Sequence, residues 1–111
     1  MENRFEVDLL QDVIEFFESI EEKARDKIIF NIHKARKSND PKLFKKLKDE
    51  IWEFRTLYNK KQYRLFAFWD KRDNKSTLVV ATHGIIKKTQ KTPTKEILKA
   101  KELMKKYFEK Q

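Results

Sequence analysis

Two histidines, His33 and His83, and no cysteine leave this chain of 111 residues few of the usual groups for chemistry. Thiol nucleophiles, thiolate metal sites and disulfides are excluded, and imidazole is the one strong nitrogen ligand left. A Ser-His-Asp hydrolase would have to pair one of these histidines with Ser19, Ser38 or Ser76, and no nucleophile elbow surrounds any of them. A single Gly supplies no phosphate-cradling loop of the P-loop or dinucleotide kind. Most acids precede residue 41, so carboxylates gathered at strand ends for a two-metal centre are not expected, nor is any cofactor. What the chain has in excess is cations: 27 Lys and Arg against 18 Asp and Glu, a formal net charge of +9. Residues 1–40 hold 7 against 10, and residues 41–111 hold 20 against 8. Such a field recruits polyanions by counterion release, nucleic acid above all, although an acidic protein or mere solvation of the surface fits the same charge. Cations alone can also support RNA cleavage. A ribose 2′-oxygen attacks the neighbouring phosphate, a positioned base removes its proton, and fixed charges stabilise the transition state. A lysine crowded by other cations gives up its proton more readily and can be that base.

The elements that must position these cations follow from periodicity. Asn3 to Val7 alternates as a short strand, and Asp8 can cap a helix whose stripe is Leu9, Leu10, Val13, Ile14, Phe16, Phe17 and Ile20. Ser19 and Glu22 have capping-box spacing for a second helix with Ala24, Ile28, Ile32 and Ala35 on one face, ending near Ser38 to Pro41. Lys42 to Lys48 reads as a basic helical turn. Three runs rich in β-branched and aromatic residues follow, Ile51–Leu57, Tyr63–Asp70 and Thr77–His83, with short connections that make an antiparallel meander. Trp52, Phe54 and Thr56 face away from Ile51, Glu53, Arg55 and Leu57, while Arg64, Phe66 and Phe68 face away from Tyr63, Leu65, Ala67 and Trp69. Helices are expected over one face, leaving a partly apolar, partly basic concave surface from which Arg55 and Arg64 project. Thr92 as N-cap and Pro93 at the first turn open a last helix, with Ile97, Ala100, Met104, Tyr107 and Phe108 on one face. The expected fold is α+β, a single domain over 1–111: strand, helical hairpin, meander, helix. No apolar run approaches a membrane span, so a cytoplasmic protein is expected.

Several stretches resemble the RelE/ParE superfamily of toxins from type II toxin–antitoxin pairs, in its phage-derived, HigB-like branch. They are Lys45-Lys46-Leu47-Lys48-Asp49 with Ile51-Trp52-Glu53-Phe54-Arg55, then Tyr63-Arg64-Leu65-Phe66, and above all His83 to Pro93 with Glu96, Ile97 and Ala100 behind it. The resemblance covers nearly the whole chain and implies a RelE-like fold and a ribosome-dependent, metal-independent mRNA endoribonuclease. It implies Arg55 and Lys87 or Lys88 as phosphate and transition-state ligands, and a general base among Lys45, Lys46 and Lys48. Arg64 matches the family's Tyr-Arg strand motif, either at the site or holding the sheet through an ion pair. Lys46, Lys91, Tyr63 and Gln90 would contact RNA. His83 is the one imidazole nearby. It is a candidate acid if it reaches the concave face, but simple alternation places it with Val79, Ala81 and Ile85 as a packed residue. The acid-base tyrosine or His-Asp-Tyr group of some superfamily members has no counterpart after Gly84.

The implied partners are a helix-turn-helix antitoxin encoded alongside, in a heteromeric complex, and the 70S ribosome with its mRNA; no membrane is expected. Two other readings compete: a ParE-like DNA gyrase poison acting by protein contact, and an RNA-binding module without chemistry. Lysines at 45–48 grouped with Arg55 and the Lys87-Lys88 pair favour the nuclease.

Overall fold

Strands that carry Phe, Tyr and Trp on both faces need cover on both, and the chain supplies it from two sides. The computed structural model describes residues 3–72, 78–88 and 93–110. Its elements are β1 (Glu6–Leu9), α1 (Gln11–Ser19), α2 (Glu22–Lys37), β2 (Phe44–Lys48), β3 (Ile51–Tyr58), β4 (Lys61–Asp70), β5 (Leu78–Lys87) and α3 (Thr94–Glu109). The five strands form one sheet in the order β1-β5-β4-β3-β2. β1 runs parallel to β5, and all other neighbours are antiparallel. The class is α+β, with the element order of a RelE-like fold.

The helical hairpin of α1 and α2 covers one face. Val13 and Phe17 of α1 and Ala24, Ile28, Ile32 and Ala35 of α2 are buried against Phe54, Tyr63, Leu65, Ala67, Val79 and Ala81. The opposite face buries Ile51, Phe66, Phe68 and Val80 beneath α3, whose Ile97, Ala100, Met104, Tyr107 and Phe108 form the stripe expected of it. That helix therefore docks on the chain itself. Phe66 and Phe68 are fully buried, and each such side chain contributes about 1.5–3 kcal/mol by leaving water.

Local details depart from expectation. The first strand is Glu6–Leu9 rather than Asn3–Val7, and Leu10, not Asp8, precedes α1. Ser19 does not cap α2: its hydroxyl donates to the Phe16 carbonyl and closes α1, and Glu21 holds the N-cap position without a side-chain bond. The basic stretch expected as a helical turn is an edge strand, β2, because pairing with β3 satisfies its backbone and buries Phe44. A row of lysines on an edge also discourages pairing with another chain. Residues 58–62 close into a two-residue turn at Asn59 and Lys60, both at positive φ (51° and 65°), as the twist of a tight hairpin demands. Strand β5 continues through Gly84 to Lys87 instead of ending at His83. The expected turn residue Ser76, the strand start Thr77 and the cap Thr92 lie outside the described residues.

Candidate nucleic-acid interface

Among the described residues, α3 lies over the Phe66 and Phe68 part of its sheet face and not over the part formed by the end of β3, the start of β4 and the end of β5. Arg55 and Arg64 are direct cross-strand partners there, with Gln62 paired to Lys87 one step along and Lys45 opposite Glu53 on the edge side. Residues paired this way share a face, so Lys45, Arg55, Arg64 and Lys87 converge. Two like charges directly opposite each other destabilise a sheet. Glu53 answers this, with Oε1 3.4 Å from Arg64 Nε and Oε2 3.6 Å from Arg55 Nε. Glu53 and Arg64 are buried, whereas a third of the Arg55 side chain reaches solvent. Arg64 also donates to the Tyr63 carbonyl at 3.2 Å and to Gln62 Oε1 at 2.6 Å, which fixes its guanidinium. Arg55 reaches toward the Pro41 carbonyl at 3.5 Å. A depression of about 230 Å³ opens here, lined by Lys42, Arg55, Leu57, Gln62 and Arg64.

The electrostatics favour an anion and weaken the hold of one amine on its proton. Burial pushes the Lys87 ammonium below its ordinary pKa; Arg64, Arg55 and Lys45 push the same way against the pull of Glu53. Burial also lowers Arg64, with Glu53 restoring part of its preference for charge, and a guanidinium so placed stays a cation. Four cations around one carboxylate leave this end of the sheet strongly positive.

The remaining expected residues scatter. Lys88 is exposed one residue past the end of β5. Lys48 is exposed at the far end of β2, in register with Ile51, and Lys46 lies opposite Trp52 on the hairpin face. Tyr63, expected to touch RNA, is buried on the hairpin face with its ring 6.5 Å from that of Phe16. Its alternation with Arg64 already requires this. Gln90 and Lys91 lie outside the described residues.

His83 lies on the Arg64 and Phe66 face and not with Val79 and Ala81. The β4–β5 pairing slips between Phe66↔His83 and Ala67↔Ala81, which leaves Thr82 as an extra residue and reverses the alternation beyond it. The imidazole stacks on Phe66 at 4.9 Å, with Nδ1 3.0 Å from Thr82 Oγ1 and Nε2 3.1 Å from Glu96 Oε1 of α3. Burial lowers its pKa, opposed by the hydrogen bond with Glu96. Placed under the first turn of α3, it holds that helix and is not open to a substrate.

Glu53 is the residue of this cluster that charge counting missed. Its signal was an acid two residues before Arg55 in an otherwise basic strand region, a spacing that puts both on one face.

The fold is that of a RelE-like α+β domain with a basic cluster at one end of its sheet. A family model described as Phage derived protein Gp49-like (DUF891) matches residues 15–105, and the chain belongs to that family. That family is RelE-like and toxin-like, in line with the phage-derived resemblance of the sequence. No curated protein matches the chain. Among the described residues no helix is long and apolar enough to cross a membrane.

Proposed function

We propose that this chain is a cytoplasmic, single-domain toxin that cleaves mRNA on the ribosome without a metal, held in check by a helix-turn-helix antitoxin encoded beside it. The observation that carries the reading is the meeting of Lys45, Arg55, Arg64 and Lys87 around Glu53 at one end of the sheet face. Arg55, partly exposed, takes the scissile phosphate and stabilises its developing charge. Lys87, half-buried among cations that lower its pKa, removes the 2′-hydroxyl proton as general base. Lys88, just past the strand, joins Arg55 on the developing charge, and Lys45, on the same sheet face, steers the strand of RNA. Arg64 acts through Glu53 as a positioning residue for Arg55. The 2′-oxygen bonds to phosphorus as the P–O5′ bond breaks, the 5′-oxygen takes a proton from water, and the products are a 2′,3′-cyclic phosphate and a 5′-hydroxyl. A gyrase poison acting by protein contact has no need of cations grouped on one sheet face.

Primer extension on a reporter mRNA in a translating extract tests the reading. Arg55→Ala and Lys88→Ala are each expected to lower cleavage about 100- to 1,000-fold, as for loss of one transition-state donor, while Lys23→Ala, on the exposed side of α2, leaves it intact. The cut ends should carry 2′,3′-cyclic phosphate and 5′-hydroxyl groups. Ends bearing a 5′-phosphate, or cleavage that survives the Arg55 and Lys88 substitutions together, would refute the mechanism.

A further inference from the structure

The opposite end of the sheet carries a second hollow that the cleavage site does not use. Its volume is about 610 Å³, and it lies where the β2–β3 turn, the end of β4 and the last turns of α3 meet. Trp52, Phe68, Trp69, Met104 and Phe108 line it. The floor is prebuilt: Trp52 stacks on Phe44 at 4.8 Å, Phe44 stacks on Phe54 at 4.3 Å, and Trp69 meets Trp52 edge-on at 6.0 Å. The far wall is also fixed, because Tyr107 donates to Asp70 Oδ2 at 2.8 Å and Arg72 lies 5.0 Å over the Phe108 ring. A hollow of this size, apolar within and rigid before binding, suits two or three large side chains of a partner.

We propose that this groove seats the antitoxin, through a segment that places apolar anchors between Trp52, Trp69 and Phe108 and flanks them with acidic residues. The inference rests on the reading of the chain as a toxin and adds the surface by which its partner holds it. Charge complementarity selects the occupant. Exposed Lys46 and Lys71 stand on the rim, and carboxylates beside the anchors would meet them. RNA is disfavoured here: Glu50 shares the rim, Arg72 is already engaged by Asp70 at 2.7 Å, and the converging cations lie at the other end of the same strands. An antitoxin anchored at this end leaves its remaining mass to cover the basic end, which orders the partner's two tasks as grip and occlusion.

Trp52 and Trp69 are the only two tryptophans in the chain, so 5-fluorotryptophan labelling of the toxin gives two 19F signals that both report on the groove. The full toxin is titrated with the product of the adjacent reading frame, and affinity is measured by calorimetry. Binding is expected to move both signals. The double charge reversal Lys46→Glu with Lys71→Glu, at two exposed positions, should weaken binding at least tenfold, whereas Lys23→Glu on α2 should not. Tight binding with both signals unmoved, or with affinity unchanged in the double variant, overturns the groove and leaves the toxin reading standing. Absence of any complex removes the antitoxin reading and the groove with it. A single-stranded RNA oligonucleotide or dilution of the toxin alone should move neither signal; if either moves both while the partner protein does not, the groove belongs to RNA or to a second copy of the chain.

Discussion

At the scale of single residues, the basic end depends on one buried carboxylate. Arg55 and Arg64 face each other across β3 and β4, and without Glu53 a buried guanidinium would stand opposite another cation. Removing one partner of a buried pair costs about 3–5 kcal/mol, because the remaining charge is left uncompensated. Glu53→Gln is therefore expected to lower the urea midpoint by more than Arg55→Ala does, since the Arg55 side chain is partly solvated. Equal midpoints would mean that Gln62 alone can hold Arg64. Lys87 gives a kinetic counterpart. A base must be neutral to act, and its pKa lies below that of an ordinary lysine near about 10.4. Cleavage should rise with pH and level off before that value, and Lys87→Arg, always charged, should abolish both the rise and most of the rate. Arg55, Arg64 and the lysine clusters were legible in the sequence because charge and alternation are local signals. His83 was not, because one extra residue at Thr82 reverses every face beyond it, and no local pattern marks a bulge.

At the scale of elements, two positions show how backbone geometry delivers the site. Gly84 lies in the middle of β5, where a glycine would be expected to end a strand, yet the strand runs on and places Lys87 beside Gln62. The reason is the close approach of α1: a Cβ at this position would run into the Phe16 ring and come within 2.7 Å of Leu65 Cδ2. Gly84→Ala is expected to destabilise the protein by about 1–3 kcal/mol through overpacking, and Phe16→Leu in the same chain should recover part of the loss in a double-mutant cycle. Additive effects would show that the ring does not set the requirement. The β2–β3 turn has the opposite problem. Asp49 and Glu50 adopt φ of 52° and 70° with neither being glycine, a conformation that costs a residue with a Cβ about 1–2 kcal/mol. Glu50→Gly should raise the thermal midpoint, a gain that glycine's extra freedom in the unfolded chain reduces but does not cancel. Element types were readable where the apolar period was long, as in α2 and the meander. They were not readable at Lys42 to Lys48, seven residues whose apolar positions suit a helical turn or a strand and which only pairing with β3 decides.

At the scale of the whole molecule, α3 is the part that separates the apolar part of the sheet face it covers from the basic cluster of the candidate site. It is held at both ends, by Glu96 on His83 in its first turn and by Tyr107 on Asp70 in its last. Asp70 is the stronger hold. It accepts from Arg72 Nε at 3.0 Å and from an Arg72 terminal nitrogen at 2.7 Å as well as from Tyr107. The Arg72 hydrogen bonds, with that of Tyr107, keep its carboxyl well below the usual carboxylate range. A carboxylate whose pKa is depressed in the folded state adds stability above its unfolded pKa, near about 3.9, and loses it progressively as the pH falls toward the folded value. Asp70→Asn is thus expected to be less stable than the parent by about 1.5–3 kcal/mol at pH 7, the worth of a hydrogen bond to a charged group. The difference should narrow below about pH 4 as the parent loses the same contribution. Because Tyr107 and Phe108 are what Asp70 and Arg72 hold, the loss should appear first as fraying of the last turns of α3, read by amide exchange at residues 104–108. A gap between parent and variant that stays constant from pH 7 to pH 2 would mean that Asp70 contributes through shape and not through charge, and that α3 is held by the packing of Ile97, Ala100 and Met104 alone.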